Sequence, residues 1–245
     1  MKTKTIVLSL WATIICSGSL ISQNMPNEPA YYNWFDSKVQ RYNTGLFNGI
    51  QYTEQYRTIN EKHKFFEKSE FQLGSVVYNG QFYDQTTLKY NLDTDQLLLN
   101  IGYNYKFPTL ILLKSKVEGF RIGESHFVHI ENKSDETEME GFYQVLVAND
   151  SVRLLKKNSK KRFKRIKGST IYYEFLPENN YVIDYGDSYY NIARKKDVIR
   201  IWPNKRDFIN ENYNPALRKI NEDDFWTSFF SKLSDSFNTQ NIGKE

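Results

Sequence analysis

The chain of 245 residues has one cysteine, three histidines, 6 prolines and 12 glycines. A lone cysteine, Cys16, excludes a disulfide framework. Proline and glycine are too few for a collagen-like, low-complexity or wholly disordered chain. No apolar run reaches the roughly 20 residues a membrane-spanning helix needs. Phosphate-cradling glycine loops are missing too, and no cofactor motif is present. Aromatic residues, by contrast, are abundant: 18 Tyr, 17 Phe and 4 Trp. With 40% hydrophobic residues, the chain can bury a sizeable core in one large domain or two small ones.

The N-terminus has the order of a secretory signal. Lys2 and Lys4 precede a ten-residue apolar run, Ile6 to Ile15, and the small residues Ser17, Gly18, Ser19 and Ser22 follow. Cleavage is expected after Ser22, with Ser19 as the second choice. The alternative is an anchor left in place. Acylation of Cys16 would want a small residue before it, and Ile15 is not small. Residues 1–22 are therefore expected to be a signal peptide, and the protein to be exported, periplasmic or outer-membrane-associated. The mature chain would then hold no cysteine, which removes a thiol nucleophile and a thiolate metal site.

Residues 23–44 read as an irregular lead-in whose Tyr31, Tyr32, Trp34 and Phe35 still pack on the body. Residues 45–202 read as an antiparallel β domain. Val76-Val77-Tyr78 and Gln81-Phe82-Tyr83 flank Asn79-Gly80, a type I′ hairpin signal. Thr86, Leu88, Tyr90 and Leu92 alternate with polar neighbours, and Asp93 to Asp95 turns the chain into Leu97 to Leu99. Leu110 to Leu113 follows, then strands around a bend at Gly123, a turn at Asn149-Asp150 and strands at Ile171 to Phe175 and Tyr181 to Tyr185. Gly186-Asp187 turns into Tyr189 to Ile192, and Val198 to Trp202 closes the series. This spacing implies a mainly β fold, an antiparallel meander forming a sandwich or open barrel. Residues 203–245 are expected to be helices packed on it. Asn204 with Asp207, Asn214-Pro215 and Asn221 mark helix starts. Phe225, Trp226, Phe229, Phe230, Leu233 and Phe237 then recur at helical spacing. Their acidic flank favours docking on the sheet over a membrane-surface helix.

Charge is unevenly placed. The 33 basic residues fall to 31 without Lys2 and Lys4, against 29 acidic ones. Nine of them, Arg153, Lys156, Lys157, Lys160, Lys161, Arg162, Lys164, Arg165 and Lys167, lie in one acid-free strip. The strip is expected on an exposed hairpin, either facing the acid-rich segment from Glu131 to Glu140 or binding an anionic partner. Phe163 is its one aromatic, which gives nucleic-acid bases little to stack on.

Catalytic patterns are weak. Gly123-Glu124-Ser125-His126 brings Ser beside His, but adjacent strand residues face apart and the glycine spacing of a nucleophile elbow is missing. His126 and His129 also face apart in a strand, so a metal site with His63 would have to arise by folding. Asp93-Thr94-Asp95 opens like a calcium loop, but Leu98 replaces the required glycine.

Several runs resemble a family of exported Bacteroidetes proteins. They are Phe47 to Tyr52, His63 to Phe66, Gly74 to Gln81, Leu88 to Leu92, Gly141 to Leu146, the basic strip, Tyr189 to Ile192 and Lys195 to Val198. The resemblance covers about residues 45–235 and implies an accessory to an outer-membrane system, with no assigned activity and no functional residues to carry over. The sequence thus points to a non-enzymatic envelope protein that binds a protein partner or anionic surface through the strip. A periplasmic carrier of an apolar or lipid ligand in an open β-barrel is the alternative, and a hydrolase the distant third. N-terminal sequencing of the protein from its native envelope should find a chain starting near Gln23; Met1 retained on a cytoplasmic protein would overturn the export reading.

Overall fold

The computed structural model describes residues 45–59, 61–102, 108–134, 137–149, 152–186 and 188–238. The expected signal peptide and lead-in lie outside these residues. Among them are thirteen strands followed by four helices. The strands are β1 (Gly49–Gln51), β2 (Gln72–Tyr78), β3 (Gln81–Asn91), β4 (Gln96–Asn100), β5 (Thr109–Leu112), β6 (Val117–Ile122) and β7 (Ser125–Ser134). They continue as β8 (Thr137–Ala148), β9 (Val152–Lys157), β10 (Lys160–Lys167), β11 (Thr170–Pro177), β12 (Asn180–Tyr185) and β13 (Ser188–Ile192). Eleven of them form one antiparallel sheet in the order β1-β5-β4-β3-β2-β6-β7-β8-β9-β12-β13, while β10 and β11 pair only with each other as a ribbon.

Most joints are short-range devices written in the sequence. Asn79 (φ 54°) and Gly80 (φ 77°) supply the two left-handed residues of the β2–β3 turn. Gly123 (φ 56°) turns β6 into β7. The Asn149 side chain accepts the Val152 N–H at 2.7 Å between β8 and β9.

The sheet curls without closing into a barrel. Phe66, Tyr90, Phe120, Phe127 and Phe142 fill its interior; Phe120 and Phe127 stack at 4.5 Å, and Tyr90 meets Phe127 edge-on at 5.3 Å. At one end of this core, Asp95 in the β3–β4 turn spans the curl. Its carboxylate accepts from the Tyr90 hydroxyl at 2.6 Å, and from the Lys114 and Lys157 ammonium groups at 2.9 Å each. The Phe142 N–H also points to it at 3.4 Å. Strands β4 and β9, far apart in sheet order, are thereby clipped together. Further along, the Lys160 N–H donates to the Leu92 carbonyl at 3.2 Å, joining the ribbon's base to the end of β3.

The helices are α1 (Lys195–Ile201), α2 (Arg206–Asn212), α3 (Pro215–Ile220) and α4 (Glu222–Asn238). Asn214 caps α3 by accepting from Ala216 N–H at 3.0 Å, and Asn221 caps α4 by accepting from Asp223 and Asp224 N–H. Phe225, Trp226, Phe229, Phe230 and Leu233 of α4 are buried together with Leu154, Tyr181 and Ile183 of the sheet, so α4 docks on the sheet as its pattern indicates. The second core thus covers one face of β9 and β12, while Leu155 and Val182 pack on the other with Ile130, Met139 and Tyr143.

Two sequence expectations need correction. Val198 to Trp202 is not a strand: it lies in α1 and its C-cap. The Asp197 carboxylate accepts the Ala193 and Arg194 N–H groups at 3.0 and 2.8 Å and so starts a helix. The apolar run then buries Val198 and Trp202 one turn apart, a spacing that a five-residue window cannot distinguish from a buried strand. Asn204 likewise caps nothing; it lies inside the 3-10 turn Pro203–Lys205 that leads into α2.

Gly141 (φ 103°) sits where a Cβ would lie 1.8 Å from Asp95 Oδ2 and 2.5 Å from Lys157 Nζ. Gly80 has a positive φ but open space around it. Gly141→Ala should therefore cost about 2–4 kcal/mol, from backbone strain plus the displaced ion cluster, and Gly80→Ala about 1 kcal/mol. Urea unfolding midpoints test this ordering, and equal midpoints would refute the clip.

Candidate functional site

The nine cations of the basic strip are the residues to place first. They lie on one long hairpin, in which β9 pairs with β12 and, beyond a short break, β10 pairs with β11. Lys157 opposite Asn180 and Lys160 opposite Pro177 keep the same register on both sides of the break. At the break, Ser159 and Glu178 face one another: the Glu178 N–H donates to the Ser159 carbonyl at 2.9 Å, and the Ser159 hydroxyl donates to the Glu178 carbonyl. The proximal half of the hairpin belongs to the sheet, and the distal half leaves it as the ribbon.

The proximal cations are built into the body, which corrects the expectation that all nine lie exposed. Alternation along β9 sends Lys156 and Lys157 to opposite faces. Lys156, buried on the helix side, reaches Asp223 in the first turn of α4 at 2.5 Å, and the Tyr181 hydroxyl donates to the same carboxylate at 2.5 Å. Burial, and then its bond to Asp223, hold the Tyr181 phenol well above its ordinary pKa. Lys157 emerges on the other face at Asp95. Arg153 pairs with Asp184, its direct cross-strand neighbour, through Nε at 2.7 Å.

The ribbon's base is also fixed. The Lys160 ammonium donates to the His63 and Phe65 carbonyls at 2.8 Å each, and burial pulls its pKa below the ordinary value. Arg162 lies over the Tyr56 ring at 4.0 Å with Asp93 at 3.5 Å. Residues 52–59 and 61–65 pad the ribbon. Tyr173 and Phe175 N–H groups donate to the Arg57 and Lys62 carbonyls at 2.9 Å, and Tyr56 meets Tyr173 edge-on at 4.9 Å. Arg165 and Lys62 share the buried Glu174 carboxylate, at 3.1 and 3.3 Å.

Three cations are left largely to solvent. Lys161 meets Glu178 only at 3.9 Å, with both side chains more than half exposed, a pair worth little. Lys164 and Lys167 are exposed and make no ion pair among the described residues. The acids that neutralise the strip are therefore Asp93, Asp95, Glu174, Asp184 and Asp223. From the acid-rich segment, the Glu140 backbone carbonyl accepts from Lys157 at 3.2 Å.

The other sequence candidates are not assembled into a site. Ser125 accepts a hydrogen bond from the Gln144 amide at 3.1 Å, while His126 stands opposite Arg121 on β6. Burial and then the Arg121 charge hold the His126 imidazole below its ordinary pKa. His129 packs on Phe142 at 5.2 Å, and His63 accepts the Phe65 N–H at its Nδ1. Among the described residues no three His, Cys, Asp or Glu side chains are placed to hold a metal ion. Asp93-Thr94-Asp95 is the β3–β4 turn. Sequence reasoning missed Ile166 and Ile171, which pair across the ribbon's end and are 70% and 48% exposed. The signal for them was the Gly168-Ser169 turn that directly follows the charged run, with an isoleucine two residues from each end of it.

No family model, curated protein or solved structure matches the chain. The resemblance to exported Bacteroidetes proteins stands on its sequence runs alone.

The Asp95 cluster yields a test. Burial raises the carboxyl's pKa, but Lys157, the Tyr90 hydroxyl and Lys114 together more than offset this, so the net shift is downward. Burial first, with the nearby Lys114 charge adding to it, leaves Lys157 lowered despite Asp95. A depressed folded-state value means the carboxylate contributes stability above the unfolded aspartate pKa of about 4 and loses it as pH falls through the lower folded value. Asp95→Asn should destabilise by about 3 kcal/mol at neutral pH, because two ammonium groups lose their counter-ion. It should also flatten the acid limb of the stability–pH curve below about pH 4. A wild-type acid limb in the variant would show that Asp95 is not the titrating clip.

Proposed function

We propose that this is a non-enzymatic protein of the cell envelope whose β10–β11 ribbon binds an anionic surface. One observation carries the reading: the hairpin's charge is partitioned. β10 holds six cations and no acid, and β11 contributes the single acid Glu174, already shared by Arg165 and Lys62. Lys161, Lys164 and Lys167 then leave a positive field on a ribbon that stands apart from the main sheet. Such a field attracts anions over roughly a Debye length, about 10 Å at 0.1 M salt. Export, expected from Lys2, Lys4 and the apolar run, favours a partner in the envelope over nucleic acid. The interior of the curled sheet favours the same reading over an apolar carrier, because stacked and edge-on aromatic rings fill the space a ligand would need.

Lys161→Gln/Lys164→Gln/Lys167→Gln tests the reading without touching the structural cations. Its stability should stay within about 0.5 kcal/mol of wild type, as for other surface changes. Its retention on a heparin matrix and in the native envelope fraction should be lost, and wild-type retention should fall steeply with salt. Unchanged association in the variant would place the partner surface elsewhere.

A further inference from the structure

We propose that the free end of the ribbon is a membrane-docking tip. Ile166 and Ile171 enter the boundary between headgroups and acyl chains, and Lys164 and Lys167 meet the phosphates of anionic phospholipids. This rests on the ribbon being the anion-binding surface and names the anion's source.

The tip is defined by where the padding stops. Among the described residues Tyr173, opposite Lys164, is the last residue on β11 with a backbone hydrogen bond to the body, through the Arg57 carbonyl. Beyond it lie the pairs Arg165–Tyr172, Ile166–Ile171 and Lys167–Thr170, closed by the turn at Gly168 (φ 61°). Alternation puts Ile166 and Ile171 together on one face, and Arg165 and Lys167 on the other. On the isoleucine face Phe175 is buried by the body, whereas Ile166 and Ile171 are 70% and 48% exposed among the described residues.

Edge protection accounts for the lysines, since charge on an outer strand blocks unwanted pairing. It does not account for two isoleucines facing each other at the solvent end of the same ribbon. A polyanionic protein or polymer would satisfy the cations and leave that pair in water. A second copy docking isoleucine to isoleucine would bring together the two Lys164 ammonium groups that share the isoleucine face, and like charges repel. An anionic bilayer offers phosphates and hydrocarbon within a few ångströms of one another, which matches an apolar pair ringed by cations.

The experiment is co-sedimentation of the full chain with two vesicle types, phosphatidylglycerol mixed into phosphatidylcholine and phosphatidylcholine alone. Wild type should bind the mixed vesicles, bind the neutral ones weakly or not at all, and release with added salt. Ile166→Thr/Ile171→Thr keeps β-branched strand residues and should lower vesicle affinity about tenfold while leaving heparin retention unchanged. Ile166→Leu/Ile171→Leu should restore vesicle binding, which separates lost burial from a misfolded tip. Heparin retention without vesicle binding would overturn the lipid assignment and leave the anion-binding reading intact. Loss of both would remove that reading as well. Equal vesicle binding by wild type and the Thr variant would mean contact through headgroup charge only and would overturn insertion. Concentration-dependent dimerisation of wild type, abolished in the Thr variant, would make a second copy the occupant.

Discussion

The Asp95 carboxylate holds the curled sheet in its shape. It sits in a left-handed turn position (φ 53°) between β3 and β4, yet its partners come from β3, from the turn after β5 and from β8 and β9. A carboxylate taken out of water loses several kcal/mol of hydration, and recovers it only where geometry supplies full pairing. Tyr90, Lys114, Lys157 and the Phe142 N–H supply that pairing in one arrangement of the sheet. In a flatter sheet, β4 and β9 would be too far apart for it. A buried cluster of this kind adds little net stability over a well-packed apolar alternative. Its effect is selection: curls that separate β4 from β9 leave charges unpaired. The absence of a side chain at Gly141 belongs to the same constraint, since a methyl group there would occupy the carboxylate's position.

That clip governs what the basic strip becomes. Lys157 must face the interior of the curl to reach Asp95, so alternation on β9 turns Lys156 towards the helices. There Asp223 waits in the first turn of α4, where a carboxylate is also favoured by the helix N-terminus. One lysine therefore locks the curl and the next anchors the helical layer. Only past Ser159 and Glu178, where the hairpin leaves the sheet, can cations face solvent without opposing this order.

Local devices were legible in the sequence, and long-range ones were not. Asn79-Gly80, Gly123, Asn149, Asn214-Pro215 and Asn221 act within four residues of themselves, and each stands where the sequence places it. The apolar face of α4 was equally readable, because six large side chains at helical spacing need a partner surface. Val198 to Trp202 was misread because strand and helix bury a short apolar run equally well, and the deciding group, Asp197, acts through backbone N–H groups before it. The strip was legible as charge but not as a partition. Its counter-ions, from Asp93 to Asp223, are spread over most of the described chain, and no spacing rule connects Asp95 to Lys157 across 62 positions.

A run of like charge is thus a poor unit of function in this molecule. Six of the nine cations have assigned partners that a folded chain would keep in any solvent: Arg153, Lys156, Lys157, Lys160, Arg162 and Arg165. Replacing them tests the fold, whatever binds outside. The three that remain are weak as isolated charges, and water competes well for each. The significance of Lys164 and Lys167 comes from position, because they flank an apolar pair at the end of a ribbon whose base is fixed by Phe175, Lys160 and residues 52–59 and 61–65. A rigid base lowers the entropy lost when the tip engages a surface. It also means that the tip presents charge and hydrocarbon together, in a geometry set by the same hairpin register that places Lys157 on Asp95.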